Sequence, residues 1–450
     1  MRLPRLTTRQ AVILLIAISL LTHFAWFGTP PSAVFDEVHF GKFLSAYFTG
    51  DYYFDIHPPL GKLVFAGWGR LWGFEPGFSF ANIGDAYPDR LYLALRFLPT
   101  LAGSLLPLVI FGLALQLGMR RTPALAAGIL VALDNALIVQ SRFILLDSFL
   151  LLFGFGALWA YLRWRGGGTT WLLPAAGILG ALAASIKWTG LTFLALIVIL
   201  ELIHLWKDRN GTAFRRLHVV FASFVVIPIL VYALPFALHF ALLPDSGPGD
   251  AFMTRGFQAT LEGNANADDP ALERPGFIGK FIELNVEMYR SNARLTATHP
   301  YSSPWYTWPV MARPIYYWAG PNMERIYLLG NPAVWWASTF ALIAALGTVF
   351  ACGIRRMDPV LRLLLAGWGL NLLPFVGIGR VMFLYHYFIA LIFAILLLAA
   401  LADRLPRPRR PLAALMVISL VVFVFFAPLT YGLPLSGSQY NARAWFSSWK

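Results

Sequence analysis

Apolar runs long enough to cross a bilayer as helices recur along the chain, and they constrain its fold more than any other feature. Because 58% of the 450 residues are hydrophobic and only 13% are charged, a soluble domain could not bury this apolar surface. The sequence therefore predicts an all-α polytopic membrane protein, a single domain over residues 1–450. We expect about eleven spans, at residues 11–27, 93–117, 122–139, 143–162, 171–186, 188–206, 218–243, 331–352, 360–378, 382–401 and 411–429.

Basic residues cluster on one side of these predicted spans. The positive-inside rule makes that side, and the N-terminus, cytoplasmic. The net charge of +13 is largely this topological signal, and we expect no nucleic-acid binding, because no soluble basic patch is present. The cytoplasmic cluster comprises Arg2, Arg5, Arg9, Arg120, Arg121, Arg163, Arg165, Lys207, Arg209, Arg215, Arg216, Arg355, Arg356, Arg404, Arg407, Arg409 and Arg410.

Two long segments, at about 28–92 and 244–330, face the opposite, outer side. Residues 37–48 and 60–73 form amphipathic pieces too interrupted to span, and Phe277 to Met288 repeats apolar residues at helical spacing. We expect a roof of interfacial helices over a helical bundle. A site between roof and bundle could join a lipid-borne donor to a water-borne acceptor. We expect the first segment to be catalytic and the second to bind substrate.

Asp36 and Glu37 are adjacent carboxylates just beyond the first span, where such groups cost free energy unless a partner rewards them. They are either acidic residues favoured at a helix start or catalytic groups. In the second interpretation one carboxylate takes a proton from an acceptor hydroxyl. We predict Asp36 as the base and Glu37 as its support, although the sequence does not fix which is which.

Single cations lie at outer span ends, at Arg142, Lys187 and Arg380. Each alone could be an interface anchor, and Arg142 could pair with Asp147. Three on one side favour a site for an anionic lipid headgroup, because guanidinium forks match phosphate oxygens. Arg313 could join them.

Further polar residues lie near the same face. His57, before two prolines, is predicted to orient Asp55 or to close the site beside Asp36. No second histidine stands at ligand spacing, so we expect no metal. Tyr385 and His386 belong either to an interfacial aromatic belt, which we favour, or to the site. No nucleotide-binding motif or other cofactor signature appears, which favours a lipid-carried donor.

Short motifs run in order along nearly the whole chain. They resemble motifs of the protein O-mannosyltransferase family. Each motif alone is a weak match, but the ordered set is specific. The motifs are Asp36-Glu37-Val38-His39-Phe40-Gly41, His57-Pro58-Pro59-Leu60-Gly61-Lys62, Ser141-Arg142-Phe143-Ile144-Leu145-Leu146-Asp147-Ser148, Lys187-Trp188-Thr189-Gly190-Leu191, Ser302-Ser303-Pro304-Trp305, Trp308-Pro309, Arg313-Pro314, Gly330-Asn331-Pro332, Trp335-Trp336 and Tyr385-His386-Tyr387.

The resemblance implies a membrane glycosyltransferase of the C-type superfamily. Such enzymes transfer mannose from a polyprenyl or dolichyl phosphate to Ser or Thr hydroxyls of proteins, with inversion at the sugar carbon. It assigns catalysis and acceptor binding to Asp36 and Glu37, and donor binding to Arg142 and Arg313. The partners it implies are the lipid-phosphate donor, an acceptor polypeptide and membrane lipids.

The second outer segment is too short for the β-trefoil domain that eukaryotic members carry there, so the chain resembles a bacterial member. We therefore expect a bacterial inner-membrane protein with its site on the periplasmic side. Two alternatives stay open: a related enzyme that glycosylates a lipid such as lipid A, and a transporter. The transporter is disfavoured because the spans are apolar inside and the charges crowd one face.

Overall fold

The computed structural model describes residues 6–207, 217–294 and 298–450, and helices dominate it. In chain order the helices are α1 (Thr8–Phe24), α2 (Glu37–Thr49), α3 (Leu60–Leu71), α4 (Leu91–Gln116), α5 (Arg121–Ala132), α6 (Asn135–Ser141), α7 (Asp147–Arg165), α8 (Leu172–Ile186), α9 (Leu191–Lys207), α10 (Leu217–Phe221), α11 (Ile227–Leu242), α12 (Arg255–Gln258), α13 (Phe277–Arg294), α14 (Pro332–Cys352), α15 (Pro359–Leu372), α16 (Phe388–Asp403), α17 (Arg409–Tyr431) and α18 (Gly437–Arg443).

Within the described ranges, seven helices are long and apolar enough to cross a membrane. The bent pair α5 and α6 passes the same test only when counted together and is either an eighth, broken span or a re-entrant loop; α1 and α8 are shorter apolar helices. Together with α7, each of the eleven predicted spans coincides with a helix or a bent pair, although length and composition alone support only seven or eight crossings. The seven are α4, Trp188–Lys207, Leu217–Leu242, α14, Pro359–Gly377, Leu384–Asp403 and α17.

The predicted span at 122–139 is broken by 58° between α5 and α6. Asp134 lies at the break and its carboxylate accepts from the Leu137 amide at 3.0 Å, capping α6. The same carboxylate accepts from the Asn331 amide at 3.0 Å and the Trp335 indole at 2.7 Å. The break is therefore fixed by hydrogen bonds to the start of α14.

The bundle is held together by close helix packing. A Cβ added at Gly177 in α8 would lie 1.8 Å from the carbonyl oxygen of Ser223, so only glycine allows this approach. Helix α16 is buried along most of its length, as expected for a helix that is apolar on all sides.

The two outer segments fold against each other over one end of the bundle. Helices α2, α3 and α13 lie where the amphipathic patterns predicted helices. Tyr47 in α2 hydrogen-bonds to His239 at the outer end of α11 at 2.8 Å. The Tyr52 amide donates to the carbonyl of Asp245 at 2.9 Å, which joins the first segment to the second.

A short antiparallel hairpin, β1 (Ile315–Ala319) and β2 (Arg325–Leu328), was not predicted. Its strands are rich in aromatic and β-branched residues and flank a turn in which Asn322 has a φ of +56°, a pattern typical of a hairpin. The carbonyl of Tyr317 in β1 accepts from the amide of Phe35 at 3.2 Å. The hairpin therefore packs directly beside the start of the first outer segment.

Two of the clustered basic residues form ion pairs at the end of the bundle opposite the outer segments. Arg120 pairs with Asp403 at 2.6 Å, and Arg404 pairs with Asp358 at 2.6 Å. The assignment of this end of the bundle to the cytoplasmic side stays a prediction. Of the residues in the predicted cluster, Arg2, Arg5, Arg209, Arg215 and Arg216 lie outside the described residues.

Candidate active site

A cavity of about 890 Å³ lies between the outer segments and the ends of the bundle helices. Its polar wall comes from the start of α2, the turn before α3, the start of α7 and the loop between α15 and α16. Seven predicted site residues line it, whereas Glu37, Arg142 and Arg313 do not. The seven are Asp36, Asp55, His57, Lys187, Arg380, Tyr385 and His386.

Asp36 is held at the cavity wall immediately before α2. Among the described residues, no hydrogen bond or ion pair engages its carboxylate. Burial raises its pKa to about 7; the charge of Lys187 opposes this shift, while Asp147 and Asp55 add to it. A carboxyl group with this pKa, facing a cavity and without a partner, is suited to accept a proton near neutral pH.

Glu37 points the other way and is fully buried. Its Oε1 accepts from Arg96 Nε at 2.8 Å and the Ile144 amide at 2.9 Å. Its Oε2 accepts from Arg96 Nη2 at 2.6 Å, the Val34 amide at 2.9 Å and the Tyr87 hydroxyl at 3.1 Å. Five donors saturate this carboxylate. Glu37 therefore holds in place the segment that carries Asp36 and does not itself reach the cavity.

Lys187 lies at the cavity wall and pairs with Asp147, whose two oxygens lie 2.8 and 2.9 Å from its ammonium. Its ammonium also lies 5.2 Å from the centre of the Tyr385 ring. The alternative expectation that Asp147 pairs with Arg142 is therefore wrong, because the fold brings Lys187, the residue that follows α8, to the start of α7.

Arg142 is buried elsewhere, at the end of α1. It donates to the carbonyls of His23 at 2.8 Å, Ala25 at 2.5 Å and Trp26 at 2.6 Å, and stacks on the Tyr431 ring at 4.8 Å. A cation there satisfies carbonyls that the helix end leaves without partners. This geometry does not support the prediction that Arg142 contacts a donor phosphate.

The two remaining predicted cations occupy different places. Arg380 lines the cavity, and no acidic partner for it is found in the part of the chain that the structure describes; burial lowers its pKa. Arg313 lies outside the cavity wall, with its guanidinium 5.6 Å from the centre of the Tyr301 ring. Arg380 is therefore the arginine placed to meet a ligand in this cavity.

Asp55 is paired with Lys62 at 2.5 Å and not with His57. The Lys62 ammonium also donates to the carbonyls of His57 at 2.7 Å and Pro58 at 2.9 Å, which fixes the Pro-rich turn. Burial lowers the pKa of His57 well below its usual range, with Lys187 the largest of the nearby charges, so its imidazole is neutral at pH 7. Of the two predicted roles for His57, only the closing of the site agrees with this arrangement.

Tyr385 and His386 line the cavity, which supports a place in the site over the favoured interpretation as an aromatic belt. Their rings stack with centroids 4.6 Å apart. The His386 Nδ1 lies 2.9 Å from the carbonyl of Phe383, which fixes the ring at the wall.

Sequence reasoning missed Arg96 and Lys62. Arg96 is a lone cation within a long apolar run, a signal that ordinarily marks a residue with a specific partner. Lys62 interrupts an amphipathic helix, which is common on an exposed face and therefore gives a weaker signal. No group of three or more acidic, histidine or cysteine side chains arranged for a metal occurs in the described ranges.

Two family models together match most of the chain. Residues 13–244 match the model described as dolichyl-phosphate-mannose-protein mannosyltransferase. Residues 277–449 match the C-terminal four TMM region of protein-O-mannosyltransferase.

Curated relatives agree with these models. Over 277 residues, 58% of this chain, the sequence is 41% identical to protein O-mannosyltransferase 1 of Drosophila pseudoobscura pseudoobscura. Over 260 residues, 55% of this chain, it is 35% identical to dolichyl-phosphate-mannose–protein mannosyltransferase 1 of Saccharomyces cerevisiae. The alignments span only 30% and 32% of those proteins, so the chain spans about a third of the curated relatives it matches.

Solved structures share the fold. The protein O-mannosyltransferase Pmt1-Pmt2 complex of S. cerevisiae, solved with its sugar donor, matches with a TM-score of 0.90 at 22% identity, covering 100% of this chain and 93% of that one. ArnT of Cupriavidus metallidurans, solved with undecaprenyl phosphate, matches with a TM-score of 0.53 at 16% identity, covering 94% and 66%.

The fold is that of a class of helical membrane proteins that includes Pmt1-Pmt2 and ArnT. Within that class, the matched family model covers more than half of the sequence. The chain belongs to the dolichyl-phosphate-mannose–protein mannosyltransferase family.

Proposed function

We propose that this protein transfers mannose from a polyprenyl- or dolichyl-phosphate donor to Ser or Thr hydroxyls of proteins. The observation that carries the proposal is the Asp36 carboxylate, which has no partner among the described residues and faces a cavity whose wall also holds Lys187 and Arg380. A base and cations on one cavity wall suit the transfer of a sugar away from a phosphate. Family membership supports mannose as the sugar.

The reaction is a single displacement with inversion. The acceptor oxygen forms a bond to the anomeric carbon as its proton passes to the Asp36 carboxylate. The bond between that carbon and the phosphate oxygen breaks, and its electron pair leaves with the lipid phosphate. A single displacement needs only one base and a site for the leaving group, so no covalent sugar–enzyme intermediate is required. The other two carboxylates on the cavity wall, Asp55 and Asp147, are each paired with a lysine among the described residues.

The leaving phosphate gains one negative charge. Lys187 and Arg380 would stabilise that charge from the cavity wall. Apolar residues continue the same cavity toward the bundle and suit an isoprenoid chain. This apolar part includes Leu150, Leu151, Leu370, Phe388 and Ile389.

The acceptor would enter beneath the second outer segment. Tyr289 and Asn292 of α13 line the cavity from that side, and Asn292 donates to the carbonyl of Ile56 at 3.1 Å. We therefore assign catalysis to segment 28–92 and substrate binding to segment 244–330.

The proposed location is a bacterial inner membrane, with the N-terminus in the cytoplasm and the cavity on the periplasmic side. The clustering of basic residues at the opposite end of the bundle supports this orientation.

The test replaces Asp36 with Asn in the full-length protein in lipid nanodiscs. We expect Asp36→Asn to lower mannose transfer to a Ser/Thr peptide by at least about 100-fold, while donor binding persists. Asp51→Asn is the matched control, because Asp51 lies in the same segment but is exposed, and within the described ranges its side chain accepts a hydrogen bond only from Thr49. Extracted lipid A is assayed in parallel as the acceptor of the rival enzyme.

Near-normal transfer by the Asp36→Asn protein would contradict the assignment of the base. Transfer to lipid A but not to the peptide would contradict the assignment of the acceptor.

A further inference from the structure

A row of buried side chains links the hairpin of the second outer segment to the cavity wall. The Tyr317 hydroxyl in β1 donates to Gln140 Oε1 at 2.5 Å. The Gln140 amide then donates to Asp147 Oδ2 at 2.6 Å, and Asp147 accepts from Lys187. Tyr317, Gln140 and Asp147 are at most 5% exposed, so these bonds are largely shielded from water.

The chemistry of the groups fixes the direction of this row. An ammonium can only donate and an ionised carboxylate can only accept, so Gln140 turns its NH₂ toward Asp147 and its oxygen toward Tyr317. The tyrosine must then donate. Burial raises the pKa of Tyr317 well above its usual range, with the charges of Tyr385, Asp36 and Asp147 adding to the shift, so its hydroxyl keeps its proton.

The same tyrosine also holds the residue before Asp36. The rings of Tyr317 and Phe35 stack with centroids 3.9 Å apart and planes 8° apart, and the Phe35 amide donates to the Tyr317 carbonyl at 3.2 Å. Phe35 has a φ of +47°, which is strained for a bulky residue and persists only where its surroundings hold it. Tyr317 supplies that hold, one residue before the Asp36 carboxylate.

We propose that Tyr317 is a positioning residue for both halves of the reaction. Its hydroxyl, acting through Gln140 and Asp147, orients Lys187 toward the donor phosphate. Its ring and carbonyl keep Asp36 at the cavity wall. The inference rests on the proposed function, which gives Lys187 and Asp36 their partners.

The two effects can be separated by two substitutions at one position. Tyr317→Phe removes the hydroxyl and keeps the stacking and the carbonyl, so it should disturb only the donor phosphate site. Tyr317→Leu also removes the ring and should lower kcat as well, because Asp36 is then less well placed.

The experiment measures the affinity of the full-length protein for polyprenyl phosphate and the KM for the mannosyl donor. We expect Tyr317→Phe to lower the affinity for polyprenyl phosphate and to raise the KM for the mannosyl donor by about 3- to 10-fold, as for the loss of one buried hydrogen bond. The KM for the peptide should stay unchanged. Tyr327→Phe is the matched control: it removes another buried hydroxyl of this hairpin, one bonded to the Tyr440 hydroxyl at 2.9 Å and not to the row.

A double-mutant cycle tests whether the effect passes through Gln140. Once Gln140→Leu has broken the row, adding Tyr317→Phe should weaken polyprenyl phosphate binding no further. Additive effects of the two substitutions would overturn the proposal, and so would equal effects of Tyr317→Phe and Tyr327→Phe.

Failure of the proposed function gives a different result. A wild-type protein that binds polyprenyl phosphate but transfers no mannose would contradict that function, while the binding comparison would still decide the role of Tyr317. A wild-type protein that binds no polyprenyl phosphate would overturn the inference directly.

Discussion

Replacing Glu37 with Gln tests whether the two adjacent carboxylates have separate roles. The Gln amide would present hydrogens at one of the two positions where Glu37 now only accepts. If the NH₂ group replaces Oε1, Arg96 Nε and the Ile144 amide lose their acceptor; if it replaces Oε2, three other donors do. In either orientation at least two buried donors are left without a partner.

The cost can be worked out in two ways that agree. Two lost hydrogen bonds to a charged group, at about 1.5–3 kcal/mol each, give about 3–6 kcal/mol. Breaking a buried ion pair by removing one charge costs about 3–5 kcal/mol, and neither Glu37 nor Arg96 is exposed. We therefore expect Glu37→Gln to lower the free energy of unfolding by about 3–5 kcal/mol.

The assay is an SDS titration of the purified protein in mixed micelles, followed by circular dichroism. Asp36→Asn is the matched substitution, because it is the same chemical change one residue away. It should leave the unfolding free energy unchanged or slightly raised, since Asp36 is a partly desolvated carboxyl without a partner. Each variant is also assayed for mannose transfer per folded molecule.

The reasoning would be refuted by a Glu37→Gln protein with wild-type stability and no transfer activity. That result would place Glu37 in the chemistry and not in the support of the fold. A second check is the cycle with Arg96→Met: if the two side chains act as one pair, the double substitution should cost at least about 1 kcal/mol less than the sum of the single ones.

Two further predictions concern the charges of the cavity. Because the raised pKa of Asp36 is about 7, transfer should fall as the pH drops through that value, which pH profiles of kcat/KM measure. Lys187→Met should move this fall to higher pH and Asp147→Asn should move it to lower pH, by about one unit each. Shifts of both variants in the same direction would contradict the assignment of Asp36 as the base. Arg380→Gln should raise the KM for the donor by about 10-fold or more and leave the free energy of unfolding unchanged. Arg142→Gln should lower the free energy of unfolding without changing the donor affinity per folded molecule. The reverse pattern would make Arg142 the donor ligand.

Much of the fold could be predicted from the sequence because span length and amphipathic spacing are local properties. Helices α2, α3 and α13 follow their apolar spacing closely. The break at Asp134 could not be placed in the same way. An isolated Asp in an apolar run is compatible with a straight helix, and only the distant Trp335 and Asn331 make the bend favourable.

The same limit applies to the site. Asp36 was predicted because a carboxylate without a partner beside a membrane costs free energy. That argument needs no knowledge of the residues around Asp36. Arg142 and Lys187 looked alike in the sequence, as single cations at outer span ends. Their difference depends on which groups the fold brings near them: the carbonyls at the end of α1 for Arg142 and the Asp147 carboxylate for Lys187.

The charge balance of the cavity indicates which of its charged groups are available to the reaction. Asp55 is neutralised by Lys62 and Asp147 by Lys187. This leaves one anion, Asp36, and one cation, Arg380, without a partner among the described residues that line the wall.

In the proposed reaction a proton neutralises Asp36 while the phosphate gains one negative charge. The total charge of the cavity therefore stays constant, and one unit of negative charge moves from the acceptor side to the leaving group. A cavity walled by protein opposes a change in total charge more than bulk water does, but it allows a transfer of charge between fixed groups. Arg380 is the cation free to meet that charge, so its replacement should slow transfer more at saturating donor than the replacement of any cation already paired with a carboxylate.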